Sequence, residues 1–347
     1  GRGHRLRAGR DLGSKRIGRK GCAMKTRGRL TDAYEAARVI EFDAETRMVF
    51  MSDQPRGDAS GADEFAKNKF IVMRALDRYN AEGFTLAEIG DSEDLWEFPH
   101  VRHIVKAHSG VYDRLRKFFV DGRYLRLYGN HDAQLSDPTY VRANLTEAPA
   151  LVTESLEPLF PGLEVLESLL LRHRRTGQEI LVVHGHQGDF ANDQSWRFTM
   201  TTFRAFWRWL HAFGISSPSS PIRNSYKRHK VERNYAKWIR SAEVALICGH
   251  THRHRFPRAD EVPYFNTGSC TFDGYVTALE LADDQLTLVA WQVRPDAQGY
   301  LRVIRRVLAG PAPVERYDRR RYPGLSEEAQ AARYKEVRAS SRQARAR

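Results

Sequence analysis

The chain has 347 residues, of which 41% are hydrophobic, so it is long enough for one large α/β domain with a sizeable core. No apolar run reaches the roughly 18 residues of a membrane span, so a transmembrane segment is excluded. Of the net charge of +13, residues 1–29 carry +10 and residues 301–347 carry +8, which leaves −5 for the remainder. The basic ends could contact an anionic membrane surface or nucleic acid, and solvated disorder is the alternative.

The cysteines and the N-terminal composition predict a cytoplasmic protein. Cys22, Cys248 and Cys270 form no even set for disulfides, and the last two lie in apolar segments, as reduced core thiols do. The N-terminus is rich in arginine and lacks the apolar stretch of a signal peptide. We therefore expect a cytoplasmic chain, with peripheral membrane contact through its basic ends as an extension of that expectation.

Five short apolar runs predict buried β-strands. They are Met48–Met51 and residues 84–89, 124–128, 180–183 and 244–248. Helical periodicity lies between the first three runs, at residues 63–79 and 103–119. Asp53, Asp91 and Asn130, which follow these runs, are 38 and 39 residues apart, enough for a strand, a crossover helix and a parallel strand. The strand ends are therefore predicted to meet at one edge, where open α/β sheets bind ligands.

Each apolar run is followed by residue types that bind metal ions. The groups are Ser52-Asp53, Gly90-Asp91, Gly129-Asn130-His131-Asp132, His184-Gly185-His186 and Gly249-His250-Thr251-His252. Carboxylate, amide and imidazole ligands without thiolate suit Mn²⁺, Fe or Zn²⁺. The sequence therefore predicts a metal site at the strand ends.

The order of these groups, over roughly residues 49–270, resembles the calcineurin-like metallophosphoesterase superfamily. The run Gly90-Asp91-Ser92-Glu93-Asp94-Leu95-Trp96-Glu97 is similar to a branch of bacterial phosphoesterases. The resemblance implies an α/β fold in which two β-sheets form a sandwich flanked by helices. It also implies a hydrolase that cleaves a phosphomonoester, phosphodiester or pyrophosphate through a metal-bound hydroxide.

The resemblance further implies roles for single residues. The metal ligands would be Asp53, Asp91, Asn130, His184, His250 and His252. Asp91 would bridge two divalent ions, Mn²⁺ first and Fe or Zn²⁺ as alternatives, with Asn130 in the site of His184 and His250. Asp53 and His252 would hold the other ion. His131 would be catalytic, supporting the transition state or protonating the leaving group.

One position departs from the pattern of the superfamily. The family has Asp-x-His at the first strand end, whereas Pro55 stands here in the place of the histidine. The site could be active with one weakly held metal, rebuilt with Gln54 or Asp58 as ligand, or a relic with little turnover. The alternative function is therefore a catalytically weakened protein that acts as a binding module for a lipid surface or nucleic acid.

Candidate substrate-binding residues are Arg56, His186, Arg204 and Arg208. His186 could instead donate a hydrogen bond to a metal ligand without binding the metal itself. Residues 198–213 predict an amphipathic, basic and aromatic helix, which could be a lid over the metals, an interfacial helix touching lipid, or a helix packed on the core.

The position of this insertion is similar to that in UDP-diacylglucosamine pyrophosphatases, which implies a lipid-linked pyrophosphate as one substrate beside a phosphorylated small molecule. Those enzymes have Arg after the Gly-Asn pair, whereas this chain has His131. The match to them is therefore partial.

The remaining chain predicts turns and strands. Residues 266–269 predict a turn beside the last histidine group, with an ordinary β-turn as the alternative. Residues 274–281 and 285–293 predict a hairpin in the second sheet. The predicted domains are a basic, disordered segment at 1–30, a phosphoesterase domain at 31–296 with a helical insertion at 190–240, and a basic extension at 297–347.

Overall fold

The computed structural model describes residues 26–149, 155–188 and 225–320. Its strands are β1 Arg38–Phe42, β2 Met48–Met51, β3 Thr85–Ile89, β4 Tyr124–Leu127, β5 Glu147–Pro149, β6 Leu156–Pro158, β7 Val165–Leu166, β8 Ser168–His173, β9 Glu179–Val183, β10 Ala245–Cys248, β11 Tyr264–Asn266, β12 Tyr275–Ala282, β13 Gln285–Pro295 and β14 Leu301–Pro313. Its α-helices are α1 Thr26–Glu35, α2 Lys69–Ala81, α3 Val101–Ala107, α4 Ser109–Val120, α5 Pro138–Leu145 and α6 Ser225–Ala242. Every predicted strand and the predicted hairpin are present.

Two large sheets organise the chain. The seven-stranded sheet has the order β14-β13-β12-β2-β3-β4-β7, and the five-stranded sheet has the order β1-β8-β9-β10-β11. Strands β2, β3, β4 and β7 are parallel neighbours, as are β9, β10 and β11. Because parallel strands end at the same edge, the residues that follow β2, β3 and β4 lie together, and so do those that follow β9 and β10.

The core has three layers, which explains the continuous apolar runs. Met48 and Phe50 of β2 lie in the layer between the sheets, whereas Val49 and Met51 pack with α2 and α4 on the other face. A strand buried on both faces loses the alternation of apolar and polar residues. Helices α1 and α6 cover the outer face of the smaller sheet. The predicted sandwich of two sheets flanked by helices is confirmed.

The predicted helix at 103–119 is two helices. Helix α3 ends at Ala107, and His108 leaves helical geometry with φ −115° and ψ 27°. The buried imidazole of His108 lies 2.7 Å from the buried carboxylate of Asp63, and Gly110 follows. A tertiary contact at a weak helix former therefore interrupts a helical periodicity.

The domain boundaries also differ from the predicted ones. Residue 30 falls inside α1, where Leu30 is fully buried. Beyond residue 296, β14 pairs with β13, and Val314 and Tyr317 are buried against the core between the sheets. The alternation of arginine and apolar residues in β14 marks an edge strand, although its charge is typical of a basic tail.

The predicted insertion is only partly described. Its residues 225–240 belong to α6, and Tyr235, Trp238 and Ile239 of this helix are buried against the smaller sheet. The predicted helix at 198–213, with Arg204 and Arg208, lies outside the described residues, as do most of the basic N-terminal segment and residues 321–347. Among the described residues, no helix combines the length and apolarity that a membrane crossing requires.

We expect a chain that ends at residue 296 to be clearly less stable than one that ends at residue 320. The shorter chain exposes the edge of β13 and loses the buried Val314 and Tyr317, and burying one such side chain contributes about 1.5–3 kcal/mol. Thermal unfolding followed by circular dichroism would compare the two. Equal unfolding temperatures would mean that β14 is dispensable to the domain.

Candidate metal centre

Four of the predicted metal ligands have a strained backbone. Asp53, Asp91, His250 and His252 have φ angles of 51°, 53°, 65° and 55°. This left-handed region is unfavourable for residues with a side chain, and it persists where the surrounding structure enforces it, often at functional sites. All four lie just after strands β2, β3 and β10, at the sheet edge where the metal site is predicted.

Two glycines allow the loops at this edge to approach each other. A Cβ atom on Gly129 would lie 2.2 Å from Oδ1 of Asp91, and one on Gly249 would lie 2.4 Å from Oδ2 of Asp53. Any larger residue would push these carboxylates away. This close approach explains the glycine that opens each of the groups Gly-Asn-His-Asp and Gly-His-Thr-His.

Asp91, His184 and His250 form one candidate metal site. One ligand atom from each of these buried residues lies within 4.8 Å of the others. Nε2 of His184 is 3.1 Å from Oδ2 of Asp91 without hydrogen-bond geometry. Two ligands of one ion, each about 2.1 Å from it, lie about 3 Å apart, so this spacing fits a shared cation.

The other groups around this site also suit a metal ion. Nδ1 of His184 lies 3.0 Å from the carbonyl oxygen of Ile89, and donation to that carbonyl directs Nε2 toward Asp91. Metal-binding histidines commonly make such a bond. Oδ1 of the nearly buried Asn130 has no hydrogen-bond partner among the described residues. Because a buried amide oxygen is costly without a partner, Asn130 fits the predicted role of a ligand.

Asp53 and His252 form a smaller group beside it. Oδ1 of Asp53 lies 3.1 Å from Nε2 of His252, while Oδ2 accepts from the backbone N–H of His250 at 2.9 Å and from Oγ of Ser52 at 2.5 Å. Burial opposes ionisation of Asp53, but His252 holds its net pKa below the ordinary value. A carboxylate and an imidazole are thus available to a second ion.

Both predicted substitutes for the missing histidine, Gln54 and Asp58, make hydrogen bonds. Nε2 of Gln54 donates to Glu88 at 3.1 Å, and Asp58 accepts from the backbone N–H of Ser60 at 3.0 Å. Pro55 itself is partly exposed. Oε1 of the buried Gln54 has no hydrogen-bond partner among the described residues, so this amide oxygen is the predicted substitute that stays available to a second metal ion.

Three contacts from one short segment hold His131. Its Nδ1 lies 3.0 Å from Oδ1 of Asp94, its carbonyl accepts from the N–H of Leu95, and its ring stacks on Trp96 with centroids 4.3 Å apart and planes 18° from parallel. Its own N–H donates to Oδ1 of Asp91 at 2.8 Å. Burial lowers the pKa of His131, but Asp94 and Asp91 outweigh it and raise the pKa to about 10 in the metal-free protein. A charged imidazole with 26% of its side chain exposed can donate a proton to a bound anion.

The turn at 266–269 packs beside the last histidine group, as predicted. Nδ2 of Asn266 donates to the carbonyl of Gly249 at 2.6 Å and lies 3.1 Å from Oγ1 of Thr251. Asn266 thus fixes the loop that carries His250 and His252. Asp94 and Trp96 were not predicted as functional residues, and the only signal for them was their place in the run from Gly90 to Glu97.

Two of the candidate substrate-binding residues, Arg56 and His186, lie in the described part of the chain, and both are buried. The guanidinium of Arg56 is fully buried and paired with Glu88 and Glu93, so the expectation that it binds substrate is corrected: it lies inside the protein. His186 is 5% exposed, with its ring 5.6 Å from that of His184. Burial, and then His184 and His250, lower the pKa of His186 well below its ordinary value, so it is neutral. Its contact with substrate stays a prediction.

Comparisons with known proteins give only distant likenesses. No protein-family model matches the chain, and no curated protein matches it. It is similar to the solved structure of Vps29 from Chaetomium thermophilum, at 13% identity and a TM-score of 0.36, over 78% of this chain and 100% of that one. It is also similar to 5'-nucleotidase from Candida albicans SC5314, at 12% identity and a TM-score of 0.32, over 73% of this chain and 53% of that one. The match thus spans about half of the nucleotidase, and TM-scores this low identify neither a family nor an activity.

We expect Mn²⁺ affinity to rise with pH. Burial lowers the pKa of His184, but Asp91 outweighs it and raises the pKa to about 9 in the metal-free protein. A proton and a metal ion then compete for Nε2, so between about pH 6.5 and pH 9 affinity should gain at most about tenfold per pH unit. The raised pKa also stabilises the metal-free fold below about pH 6.5, and this contribution is lost as the pH rises through about 9.

Calorimetric titration of the metal-free protein with Mn²⁺ at several pH values, in buffers of different ionisation enthalpy, would measure both the affinity and the protons released. An affinity that does not change with pH, with no proton released, would contradict the assignment of His184 as a ligand.

Proposed function

We propose that this protein is a metal-dependent phosphoesterase of the calcineurin-like metallophosphoesterase superfamily, which hydrolyses a phosphomonoester, phosphodiester or pyrophosphate. The observation that carries the proposal is the convergence on Asp91 of two buried histidines and the backbone of His131. The two histidines are side chains of the kind that hold a cation. The bond from the backbone of His131 brings its charged imidazole next to Asp91. The order of these residues along the chain supports the same reading.

The residues fit a division of tasks in such a reaction. Asp91, Asn130, His184 and His250 would hold one divalent cation, and Asp53 and His252, with Asp91, would hold a second. When bound, such cations neutralise phosphate charge and lower the pKa of the attacking water. His131 would donate its proton to the leaving oxygen or a hydrogen bond to the phosphate, while Asp94 and Trp96 keep its ring in place.

We also propose a metal, a substrate class and a cellular location. We take Mn²⁺ as the first choice of metal, because the ligands are oxygen and imidazole without thiolate. A phosphorylated small molecule or a lipid-linked pyrophosphate is the proposed substrate, and the protein would be cytoplasmic. Its basic ends would allow peripheral contact with an anionic membrane surface.

A second candidate is a weakened member of the same fold that serves as a binding module. Pro55 favours it, because Asp53 and His252 are left with one protein ligand fewer than the pattern provides. The three contacts that hold His131 favour catalysis, since a binding module does not need an oriented, charged imidazole beside Asp91.

Hydrolysis of a chromogenic phosphodiester and phosphomonoester by the purified protein with Mn²⁺ would test the proposal. We expect turnover that a chelator abolishes and that Asp91→Asn reduces to background, because Asp91 belongs to both metal positions. The variant Pro55→His should raise the number of tightly bound Mn²⁺ ions toward two, as measured by elemental analysis after gel filtration.

A matched control is Asp77→Asn, which removes a partly exposed carboxylate that pairs with Arg114. It should leave turnover unchanged. Turnover by Pro55→His but not by the natural chain would favour the binding module, and hydrolysis that persists in Asp91→Asn would rule out the proposed site.

A further inference from the structure

Five buried charged side chains form a cluster next to the metal centre. We call Arg56, Glu88, Glu93, Arg126 and Asp132 the ionic cluster. None is more than 2% exposed. They come from the loop after β2, from β3 and the loop after it, and from β4 and the loop after it. The cluster therefore joins the three loops that also carry Asp53, Asp91 and Asn130.

Arg126 is the centre of this cluster. Its Nη1 lies 2.6 Å from Glu88, and its Nη2 lies 2.8 Å from Asp132 and also contacts Glu93. Arg56 pairs with the two glutamates at 2.8 and 2.9 Å. Burial opposes ionisation of Glu88, yet Arg56 and Arg126 hold its pKa at about 2. A buried charge without a partner is strongly unfavourable, so each member depends on the others.

Asp132 connects the ionic cluster to the backbone of the loops that carry the candidate metal ligands. Its Oδ1 accepts from the backbone N–H of Gly129 at 2.5 Å and of Asp91 at 3.3 Å, and its Oδ2 accepts from the N–H of Ser92 at 2.9 Å. The same Oδ2 accepts a hydrogen bond from Nη2 of Arg126. Asp132 thus fixes the backbone at Asp91, where φ is 53°.

Backbone hydrogen bonds join the loop after β3 to the loop after β2. The N–H of Gln54 donates to the carbonyl of Asp91 at 2.9 Å, and that of Arg56 donates to Ser92 at 3.1 Å. The N–H of Asp94 returns a bond to the carbonyl of Arg56 at 3.1 Å. These bonds continue the pairing of β2 with β3 past the strand ends, so the loops of Asp53 and Asp91 behave as one unit.

We infer that Arg126 is a positioning residue of the metal centre: its guanidinium, bound to Asp132 and Glu93, holds the Asp91 loop in the strained conformation that brings the carboxylate to His184. The inference rests on the proposed function for the identity of the bound metal. A planar guanidinium can serve three carboxylates at once, and the ammonium of lysine cannot reproduce that geometry. Groups that orient metal ligands typically change metal affinity or activity about 10–100-fold when removed.

The test compares Arg126→Met and Arg126→Lys with Arg305→Met. Arg305 makes a bidentate pair with Glu280 on the same sheet, but on its edge strand β14 and outside the ionic cluster. For each protein, calorimetry gives the Mn²⁺ dissociation constant of the metal-free form, steady-state kinetics at saturating Mn²⁺ give kcat and KM, and thermal unfolding gives the stability.

We expect both Arg126 variants to bind Mn²⁺ about 10–100-fold more weakly and to lose kcat with little change in KM. Arg305→Met should lower the unfolding temperature and leave Mn²⁺ affinity unchanged. Arg126→Lys keeps a buried positive charge, so it provides the measurement if Arg126→Met does not fold.

Natural Mn²⁺ affinity in a folded Arg126→Lys or Arg126→Met would overturn the inference, as would an equal loss of affinity in Arg305→Met. These outcomes differ from failure of the proposed function, in which the natural chain itself binds no Mn²⁺ and hydrolyses no ester.

Discussion

The carboxylate of Asp91 is the point on which the site depends, because groups from both sheets converge on it. His184 follows a strand of the smaller sheet and approaches Oδ2, while the N–H of His131, from the larger sheet, binds Oδ1. Burial and repulsion from Asp91 both oppose ionisation of Asp53, but His252 outweighs them and keeps the net pKa of Asp53 below its ordinary value. Two buried carboxylates that face imidazoles at one sheet edge form an arrangement that divalent cations stabilise.

The surrounding structure keeps this arrangement at a cost. Each non-glycine residue with positive φ costs about 1–3 kcal/mol, and four of the candidate ligands are of this kind. Buried polar groups offset that strain: Asn266 holds the loop of His250 and His252, and Asp132 holds the loop of Asp91. Arg126 pairs with Asp132 in turn, so residues that are not candidate ligands hold both loops.

The sequence predicted the strands and their ends because apolar runs and the groups after them are local signals. The sequence did not predict features that depend on a contact with a residue far away along the chain. His108 breaks a helical periodicity through Asp63, 45 residues away, and Arg56 is buried by Glu88 and Glu93, 32 and 37 residues away. The positive charge of β14 is typical of a basic tail, so the segment is recognised as an edge strand only by its pairing with β13. The candidate ligands follow local strand signals and could be predicted from the sequence, whereas Asp132 and Arg126, which contact their loops, could not.

A crystal of the full chain grown with Mn²⁺, with diffraction data collected at the manganese absorption edge, tests the central claim most directly. We expect an anomalous peak at coordination distance from Oδ2 of Asp91, Nε2 of His184 and the imidazole of His250, with a weaker peak beside Asp53 and His252. Manganese bound elsewhere, or no peak at Asp91 in a crystal that holds the ion, would contradict it.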